Sequence, residues 1–298
     1  MQAPKHSVPT LSPALGVLKG LLTPGGMDSP FQHGRKVPSG DLGRFVEHFW
    51  TVAWDLRDKP PVVVETLPHP CVYLIIEDED PERTGLAGIN PGRFTREIQG
   101  RGRVIGTKFR PAMFHPFFNR RVSELRGRVV SLPSVFGRGG GRLVRSVLSE
   151  PDTPGAVLLV ENFLTSILPP PNRELEALRD AVERISTDRS IVRVEQLASI
   201  TGTNLRRLQR NFSEYVGIGP KWVIRRYRLH EAAQRLIGGA PIDMPDLALR
   251  LGYFDQAHLI RDFRAAVGKT PAEFAKLCGN SSRAAPQGRP RHRGTTRP

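Results

Sequence analysis

Two stretches in the C-terminal half place basic and amide side chains on one face of a short helix. In residues 194–212 (VEQLASITGTNLRRLQRNF) an apolar helix pattern is followed by a glycine and then by a second helix pattern. Residues 244–263 (MPDLALRLGYFDQAHLIRDF) repeat this design. Two short helices joined by a glycine turn, the second carrying polar side chains, are typical of a helix-turn-helix, whose second helix enters the major groove of DNA.

The first stretch predicts a recognition helix with a cationic outer face. Thr203 or Asn204 is a good N-cap for this helix. Leu205, Leu208 and Phe212 recur at helical spacing and are expected to face inward. Arginine pairs well with guanine edges and phosphate, and glutamine with adenine edges. The candidate DNA contacts on the opposite face are Arg206, Gln209 and Arg210.

The second stretch predicts a less basic recognition helix. Leu259 and Phe263 are expected to face inward. Asp255 stands at the N-terminal end, where a carboxylate either caps the helix or contacts a base, and both interpretations stay open. His258 is partly lateral, which favours a phosphate as much as a base. The candidate DNA contacts here are Asp255, Gln256, His258 and Arg261.

A basic helix is predicted between the two units. It opens at Pro220, ends before Gly238, and would be roughly 25 Å long at about 1.5 Å per residue. Such a rod suits two recognition helices held about one DNA turn apart. Residues 206–228 also hold one acid, Glu214, against a cationic set of Arg206, Arg207, Arg210, Lys221, Arg225, Arg226 and Arg228.

The composition agrees with a polyanionic partner. The 298 residues include 44 Lys and Arg against 29 Asp and Glu, a formal net charge of +15. No run approaches the roughly 18 apolar residues of a membrane-spanning helix, so membrane attachment is not expected. Cys71 and Cys278 stand far apart without a CxxC motif, which favours a reducing cytoplasm.

The N-terminal half reads as a β-rich domain. Residues 45–56, 62–66, 71–76 and 103–109 have strand character, which predicts a small barrel or sandwich, and residues 142–148 and 156–168 have helix character. The expected fold class is therefore α+β with two domains. The expected order is a flexible arm (1–30), a β-rich sensing or dimerisation domain (31–168), a Pro-rich linker (169–174), an all-α DNA-binding domain (175–278) and a disordered basic tail (279–298).

Residues that could do chemistry are few in the N-terminal half. His69 and His115 each stand beside a proline, without the paired spacing of metal ligands. Cys71 begins an apolar strand and reads as a small buried hydrophobe. The acids in 77–82 indicate a solvated turn, and the arginines in 120–128 a charged surface or an anion site. We therefore expect no catalytic residue, metal or cofactor.

The C-terminal order of motifs resembles the AraC/XylS family of bacterial transcription regulators. The most specific pieces are GYFDQAHLIRDF (252–263) and VGKTPAEF (267–274), and the resemblance covers about residues 175–277. It implies an all-helical domain with two helix-turn-helix units joined by one helix. Ala257 departs from the pattern, because the family often carries a polar side chain there. The positions that match the family's recognition helices are Arg206, Gln209 and Arg210, then Gln256, Ala257 and Arg261.

A weaker resemblance extends upstream, through LPHPCVYLIIE (67–77) and RGRVIGTKFRPAMFHPF (101–117). Family members often carry a cupin-like β-barrel that senses a small molecule or dimerises. The implied partners are double-stranded promoter DNA, RNA polymerase, a small-molecule effector and a second copy of the chain. The effector itself does not follow from the sequence.

Three functions remain to be distinguished. The first is a sequence-specific, cytoplasmic transcription regulator that inserts two recognition helices into successive major grooves. The second is a DNA-repair enzyme with a regulatory DNA-binding domain, although Cys71 lacks the Pro-Cys-His-Arg setting of alkyl-transferring repair proteins. The third is a non-specific nucleoid protein, which would show only a modest preference for specific over non-specific DNA.

Overall fold

The two predicted parts of the chain, a β-rich part followed by helices, are both observed. The computed structural model describes residues 12–13, 30–237 and 243–283. Among these residues, all strands lie before residue 131 and the long helices follow it, which confirms the α+β class. Almost all of the predicted arm (1–30), and residues 284–298 of the predicted tail, lie outside the described residues.

The N-terminal part is built on an open antiparallel sheet. Its seven strands are ordered β1-β2-β3-β8-β5-β6-β9, and a separate two-stranded sheet pairs β4 with β7. Because β1 and β9 lie at opposite ends of that order, the described strands do not close into a barrel. The strands are β1 Ser12–Pro13, β2 Phe31–Lys36, β3 Val46–Leu56, β4 Val62–Thr66, β5 Tyr73–Glu77, β6 Gly85–Ala87, β7 Phe94–Ile98, β8 Gly100–Phe109 and β9 Val129–Val130.

One acid of the predicted solvated turn is instead buried. Glu77, the last residue of β5, is only 2% exposed. Both of its carboxylate oxygens accept hydrogen bonds from Arg96 on β7, one of them at 2.8 Å from Nη1. Burial raises the pKa of the Glu77 carboxyl. The sequence missed this pair because Arg96 lies on a strand whose charged residues conceal its alternation.

Three helices follow the sheet. They are α1 His115–Phe118, α2 Leu132–Ser149 and α3 Thr153–Ser166. The two predicted helices are confirmed in place, but α2 begins earlier than the sequence indicated. Its first part was missed because Gly139, Gly140 and Gly141 are poor helix formers and Gly137 breaks the helix at a φ of 56°.

The remaining helices form the C-terminal part. They are α4 Arg173–Thr187, α5 Val194–Thr201, α6 Leu205–Asn211, α7 Pro220–Ile237, α8 Met244–Arg250, α9 Gln256–Val267 and α10 Pro271–Arg283. Asn172 caps α4, since its side chain accepts hydrogen bonds from the backbone NH groups of Glu174 and Leu175. Helix α10 continues to Arg283, beyond residue 279 where the tail was expected to start. None of the helices in the described segments has the length and apolar character needed to traverse a bilayer.

The Pro-rich segment does not separate two hydrophobic cores. One cluster of buried side chains contains Phe45 and Phe109 of the sheet together with Val182 of α4 and Phe212 after α6. The two parts pack closely at Gly217, which has a φ of 95°. A Cβ there would lie 2.8 Å from Ile89 Cδ1 and 2.9 Å from Val122 Cγ1. The first helix-turn-helix unit is therefore packed into the N-terminal part.

The second unit packs around a second core and contacts the N-terminal part through both apolar and polar side chains. Leu67 of the N-terminal part is buried in that core. A separate cluster holds Leu247, Leu259 and Phe263 around the C-terminal half of α7. The Glu65 carboxylate of β4 accepts a hydrogen bond from Lys269 Nζ at 2.8 Å and one from Arg93 Nη1 at 2.7 Å. Both helix-turn-helix units are thus held against the sheet-bearing part.

Candidate DNA-binding interface

The first helix-turn-helix unit has the geometry expected from its sequence. Helix α5 ends at Gly202, which has a φ of 61° and turns the chain in the left-handed region. Asn204 then caps α6, and its Oδ1 accepts a hydrogen bond from the backbone NH of Arg207 at 2.8 Å. Leu208 and Phe212 are buried. Helix α6 is therefore fixed with its opposite face outward.

That outward face carries the three candidate side chains of the first unit. Arg206, Gln209 and Arg210 are all exposed. No carboxylate of the described residues lies within ion-pair distance of Arg206 or Arg210. Arg207 differs, because its Nη2 contacts Glu174 Oε1 of α4 at 3.2 Å. Two guanidinium groups and one amide are thus free to meet a polyanion.

The cationic surface is smaller than the sequence indicated, because two arginines of α7 are buried. Arg226 is 3% exposed; it donates to the carbonyl of Pro91 at 2.5 Å and lies over the Trp222 ring. Burial lowers the pKa of Arg226 to about 10. Arg228 is 2% exposed and donates to the carbonyl of Ile185 at 2.7 Å. The expectation that these two arginines line an open basic face is therefore corrected.

The second unit follows the same plan as the first. Asp243 caps α8, and Asp246 lies inside the first turn, paired with Arg250 at 2.7 Å. Gly252 turns the chain at a φ of 77°. Asp255 caps α9, and its Oδ1 accepts a hydrogen bond from the His258 NH at 2.7 Å. This is one of the two roles that the sequence left open for Asp255; its contact with a base stays a prediction.

The N-terminal end of α9 is open to solvent. Gln256, Ala257, His258 and Arg261 are all exposed. His258 is positioned laterally: its Nε2 is 3.8 Å from Asp262 Oδ2, and its ring meets the Tyr253 ring edge-on at 5.0 Å between centroids. Arg261 has no ion pair within the described part of the chain. Gln256 and Arg261 are therefore among the polar groups of α9 that are free to reach a groove.

Sequence reasoning missed one exposed aromatic side chain at this site. Phe254 is 88% exposed and directly precedes the cap of α9, whereas its neighbour Tyr253 is 8% exposed. The sequence alone does not show which of the two adjacent aromatic residues is buried. The side chain of Phe254 stands at the end of α9 that carries Gln256 and Ala257.

Helix α7 holds the two units at a fixed separation. Its 18 residues give a rod of about 27 Å. Val223 and Ile224 pack in the core of the first unit, and Leu229 and Leu236 in that of the second. Arg225 of α7 is also paired with Asp262 of α9. Helix α9 is thus tied to α7 by an ion pair, and α6 shares a buried core with the first half of α7.

Two residues considered for chemistry, Cys71 and His69, are both buried. Cys71 is 2% exposed, and burial raises the pKa of its thiol to about 12, so the nucleophilic thiolate is scarce. His69 stacks on His230 of α7 with 4.2 Å between ring centroids. In the described segments, no three His, Cys, Asp or Glu side chains converge as a metal site requires.

Comparisons with known proteins match both parts of the chain. Residues 197–277 match a family described as "Helix-turn-helix domain", and residues 35–131 match a "Domain of unknown function (DUF6597)". The chain is 28% identical over 137 residues to the HTH-type transcriptional regulator GlxA of Rhizobium meliloti (strain 1021). That match covers 46% of this chain, and it spans only 40% of the relative's length.

Solved structures with a similar course of the chain include ToxT from Vibrio cholerae. One such structure has a TM-score of 0.38 at 12% identity and covers 83% of this chain and 98% of ToxT. A second, titled as unsaturated fatty acid bound wild-type ToxT, has a TM-score of 0.37 at 11% identity and covers 77% and 95% of the two chains. These TM-scores are too low to establish a shared fold.

Proposed function

We propose that this chain, whose C-terminal part is an AraC-type helix-turn-helix DNA-binding domain, is a sequence-specific transcription regulator. It inserts α6 and α9 into two successive major grooves of promoter DNA. The observation that carries the proposal is the pair of capped second helices, each with an exposed polar face, fixed on the single rod of α7. A spacing of about one helical turn of DNA, roughly 34 Å, suits two such helices.

The two recognition helices have different roles in this proposal. Helix α6 carries two unpaired arginines and one glutamine, which suit guanine, phosphate and adenine contacts. Helix α9 offers Gln256 and Arg261, with Asp255 at its cap and His258 beside it, while the methyl side chain of Ala257 has no hydrogen-bonding group. Phe254 adds an apolar contact that suits a thymine methyl group. We expect α6 to supply more of the affinity and α9 more of the selectivity.

The proposed setting is the bacterial cytoplasm, where the promoter is found. RNA polymerase is the expected partner at the promoter, and the N-terminal part is expected to bind a small-molecule effector or a second copy of the chain. The buried position of Cys71 disfavours the DNA-repair alternative, since a methyl-accepting thiol must reach its substrate.

The test is a quantitative footprint on DNA selected from the genome by the wild-type protein. Arg206→Ala and Arg261→Ala each remove one proposed contact and are expected to cost about 1–3 kcal/mol of binding free energy at the specific site. Arg145→Ala is the matched control, because it removes the same charge from an exposed position on α2. It should leave the footprint unchanged.

Two results would contradict the proposal. Wild-type footprints for both Arg206→Ala and Arg261→Ala would show that α6 and α9 are not the reading helices. A ratio of specific to non-specific affinity well below about a thousandfold at physiological salt would favour the nucleoid-protein alternative.

A further inference from the structure

A cavity of about 560 Å³ lies between α2 and α3, outside the sheet, and α1 forms one of its walls. Its size falls within the roughly 300–1,000 Å³ of pockets that hold small organic ligands. Aromatic side chains provide much of its apolar lining: Phe117 of α1, Phe136 of α2 and Phe163 of α3. The rings of Phe136 and Phe163 meet edge-on at 5.4 Å between centroids. The cavity therefore suits an apolar body.

The glycine run of α2 keeps this cavity open. Each interior glycine costs a helix up to about 1 kcal/mol relative to alanine. Gly140 has a packing reason, because a Cβ there would lie 2.6 Å from the carbonyl oxygen of Leu132. Gly139 has no such backbone neighbour; its Cβ would meet only the edge of the Phe163 ring, at 3.3 Å. A larger side chain at Gly139 would instead occupy the space beside that ring.

One unpaired cation stands at the cavity. Arg142 is the only charged side chain in its lining, and it is exposed. Within the described segments Arg142 has no ion pair. Arg138 and Arg145 on the same helix have none either, but of these three arginines only Arg142 lines the cavity. Asn119, Ser146 and Ser166 add hydrogen-bonding groups to the same lining. These groups suit a single anionic head on the apolar body.

The wall formed by α1 also touches the first helix-turn-helix unit. The His115 ring meets the Tyr215 ring edge-on at 4.7 Å between centroids. Tyr215 lies in the π-helical turn Phe212–Val216 that directly follows α6. A few residues after α1, Val122 packs against Gly217 at the end of that turn. A molecule that displaces α1 would therefore act on the end of a recognition helix.

We propose that this cavity binds a small organic acid with an apolar aromatic or alkyl body, its carboxylate held by Arg142. We further propose that this binding changes DNA affinity through α1; this second step rests on the proposed function, whereas the binding site does not.

The binding step is tested by calorimetric titration of the full chain with 2-naphthoate, 4-phenylbutanoate and octanoate. We expect saturable binding of at least one acid. Arg142→Met should weaken that binding by about tenfold or more, because it removes a charge-assisted hydrogen bond. Arg138→Met, which removes the neighbouring exposed charge on α2, is the matched control and should bind as the wild type does. Gly139→Leu should abolish binding by filling the cavity.

A neutral alcohol of the same shape separates the contribution of the carboxylate from that of the apolar body. If the acid that binds is 4-phenylbutanoate, 4-phenyl-1-butanol should bind more weakly than the acid, with the same affinity for the wild type and for Arg142→Met. Absence of saturable binding for all three acids would overturn the proposal, as would binding that survives both Arg142→Met and Gly139→Leu. The proposal would also be overturned if the wild type were a dimer that bound no acid and Gly139→Leu made it a monomer. The cavity would then be a contact surface for a second copy of the chain.

The coupling step is tested separately, by measuring operator affinity with and without a saturating acid. The acid should change the affinity of the wild type and leave that of Gly139→Leu unaltered. Acid binding without any change in DNA affinity would overturn the coupling alone. Loss of specific DNA binding by the wild type would contradict the proposed function while leaving the binding result intact.

Discussion

At the scale of single residues, the most unusual feature is Phe254, a large apolar side chain that is left exposed to water. Its 88% exposure is the largest among the large apolar side chains of the described residues. Tyr253 beside it is buried, so the backbone at this turn is anchored while the Phe254 ring stays in solvent. In the major groove, an apolar side chain can contact the 5-methyl group of thymine.

We therefore predict that Phe254 reads a thymine. Replacing that one thymine by uracil, which removes the methyl group, should weaken wild-type binding by about fourfold, since a buried methylene-sized group is worth about 0.8 kcal/mol. Phe254→Ala should be insensitive to the same replacement, which a scan of single uracil substitutions in an electrophoretic titration would show. Leu249→Ala, at another exposed apolar position, is the control and should keep the wild-type profile. Identical uracil profiles for the wild type and Phe254→Ala would exclude the contact.

The arginines show what residue-level sequence reasoning cannot decide. A helical wheel places Arg226 and Arg228 on α7 but does not reveal what covers each face. Both side chains are buried by segments distant in sequence. Arg226 donates hydrogen bonds to the carbonyls of Pro91 and Gly92, and Arg228 to those of Ile185 and Asp188. Arg206 and Arg210 were predictable because the inward stripe of their own short helix fixes their direction.

At the scale of elements, the two helix-turn-helix units follow from local chemistry. Asn204 at the cap of α6 and the left-handed glycines at Gly202 and Gly252 are local requirements that a sequence displays. Two of the strands that were missed, β2 and β7, are polar and charged, and they are strands because neighbouring strands pair with them. Pairing over long sequence distances is a tertiary property that a local pattern does not reveal.

The cap of α6 gives a prediction at this scale. Asn204→Ala should destabilise the protein by about 1 kcal/mol, because the NH of Arg207 loses its acceptor, and Asn204→Ser should restore most of that loss. Urea denaturation measures both as a shift of the midpoint at constant slope. Operator affinity should fall as well, since the end of α6 that carries Arg206 frays.

The cap of α4 is a matched control for that effect. Asn172→Ala also removes an N-cap and should destabilise the fold by a similar amount. It leaves the Asn204 cap of α6 in place, so the preference for specific over non-specific DNA should be kept. Equal loss of that preference in both variants would mean that general destabilisation, and not the cap of α6, controls reading.

At the scale of the whole molecule, a pair of stacked imidazoles joins the two parts of the chain. His230 of α7 lies against His69, which precedes β5, and burial together with the nearby positive charges holds the pKa of His230 well below its usual range. In the unfolded chain His230 titrates near its ordinary pKa of about 6.5. The folded protein therefore binds fewer protons than the unfolded chain below that pH, so acid favours unfolding.

We predict that the free energy of unfolding falls as the pH drops below about 6.5, with His230 contributing up to about 1.4 kcal/mol per pH unit until its folded pKa is reached. Above pH 6.5 this contribution is constant. His230→Phe should show a shallower acid dependence in urea denaturation at a series of pH values. The contributions of His33, His48 and His115, whose pKa values are also lowered, remain in both proteins and cancel in the comparison.

The exposed His258 supplies the control for that measurement. His258→Gln removes an exposed imidazole outside the stacked pair, so it is the matched control for the loss of one histidine. An unchanged pH slope in His230→Phe would mean that the stacked pair does not govern acid stability.

The core shared across the Pro-rich segment limits where this chain can be divided to make a chimeric regulator. Regulators with separable modules can be recombined by joining one sensor to another reader at the linker. Here such a chimera, cut at residues 169–172, would leave Phe212, Val216 and Ile218 facing a foreign surface in place of Ile89 and Val122. A hybrid that folds would need to carry the segment around Ile89 and Val122 along with the reader, so the transferable unit is discontinuous in sequence.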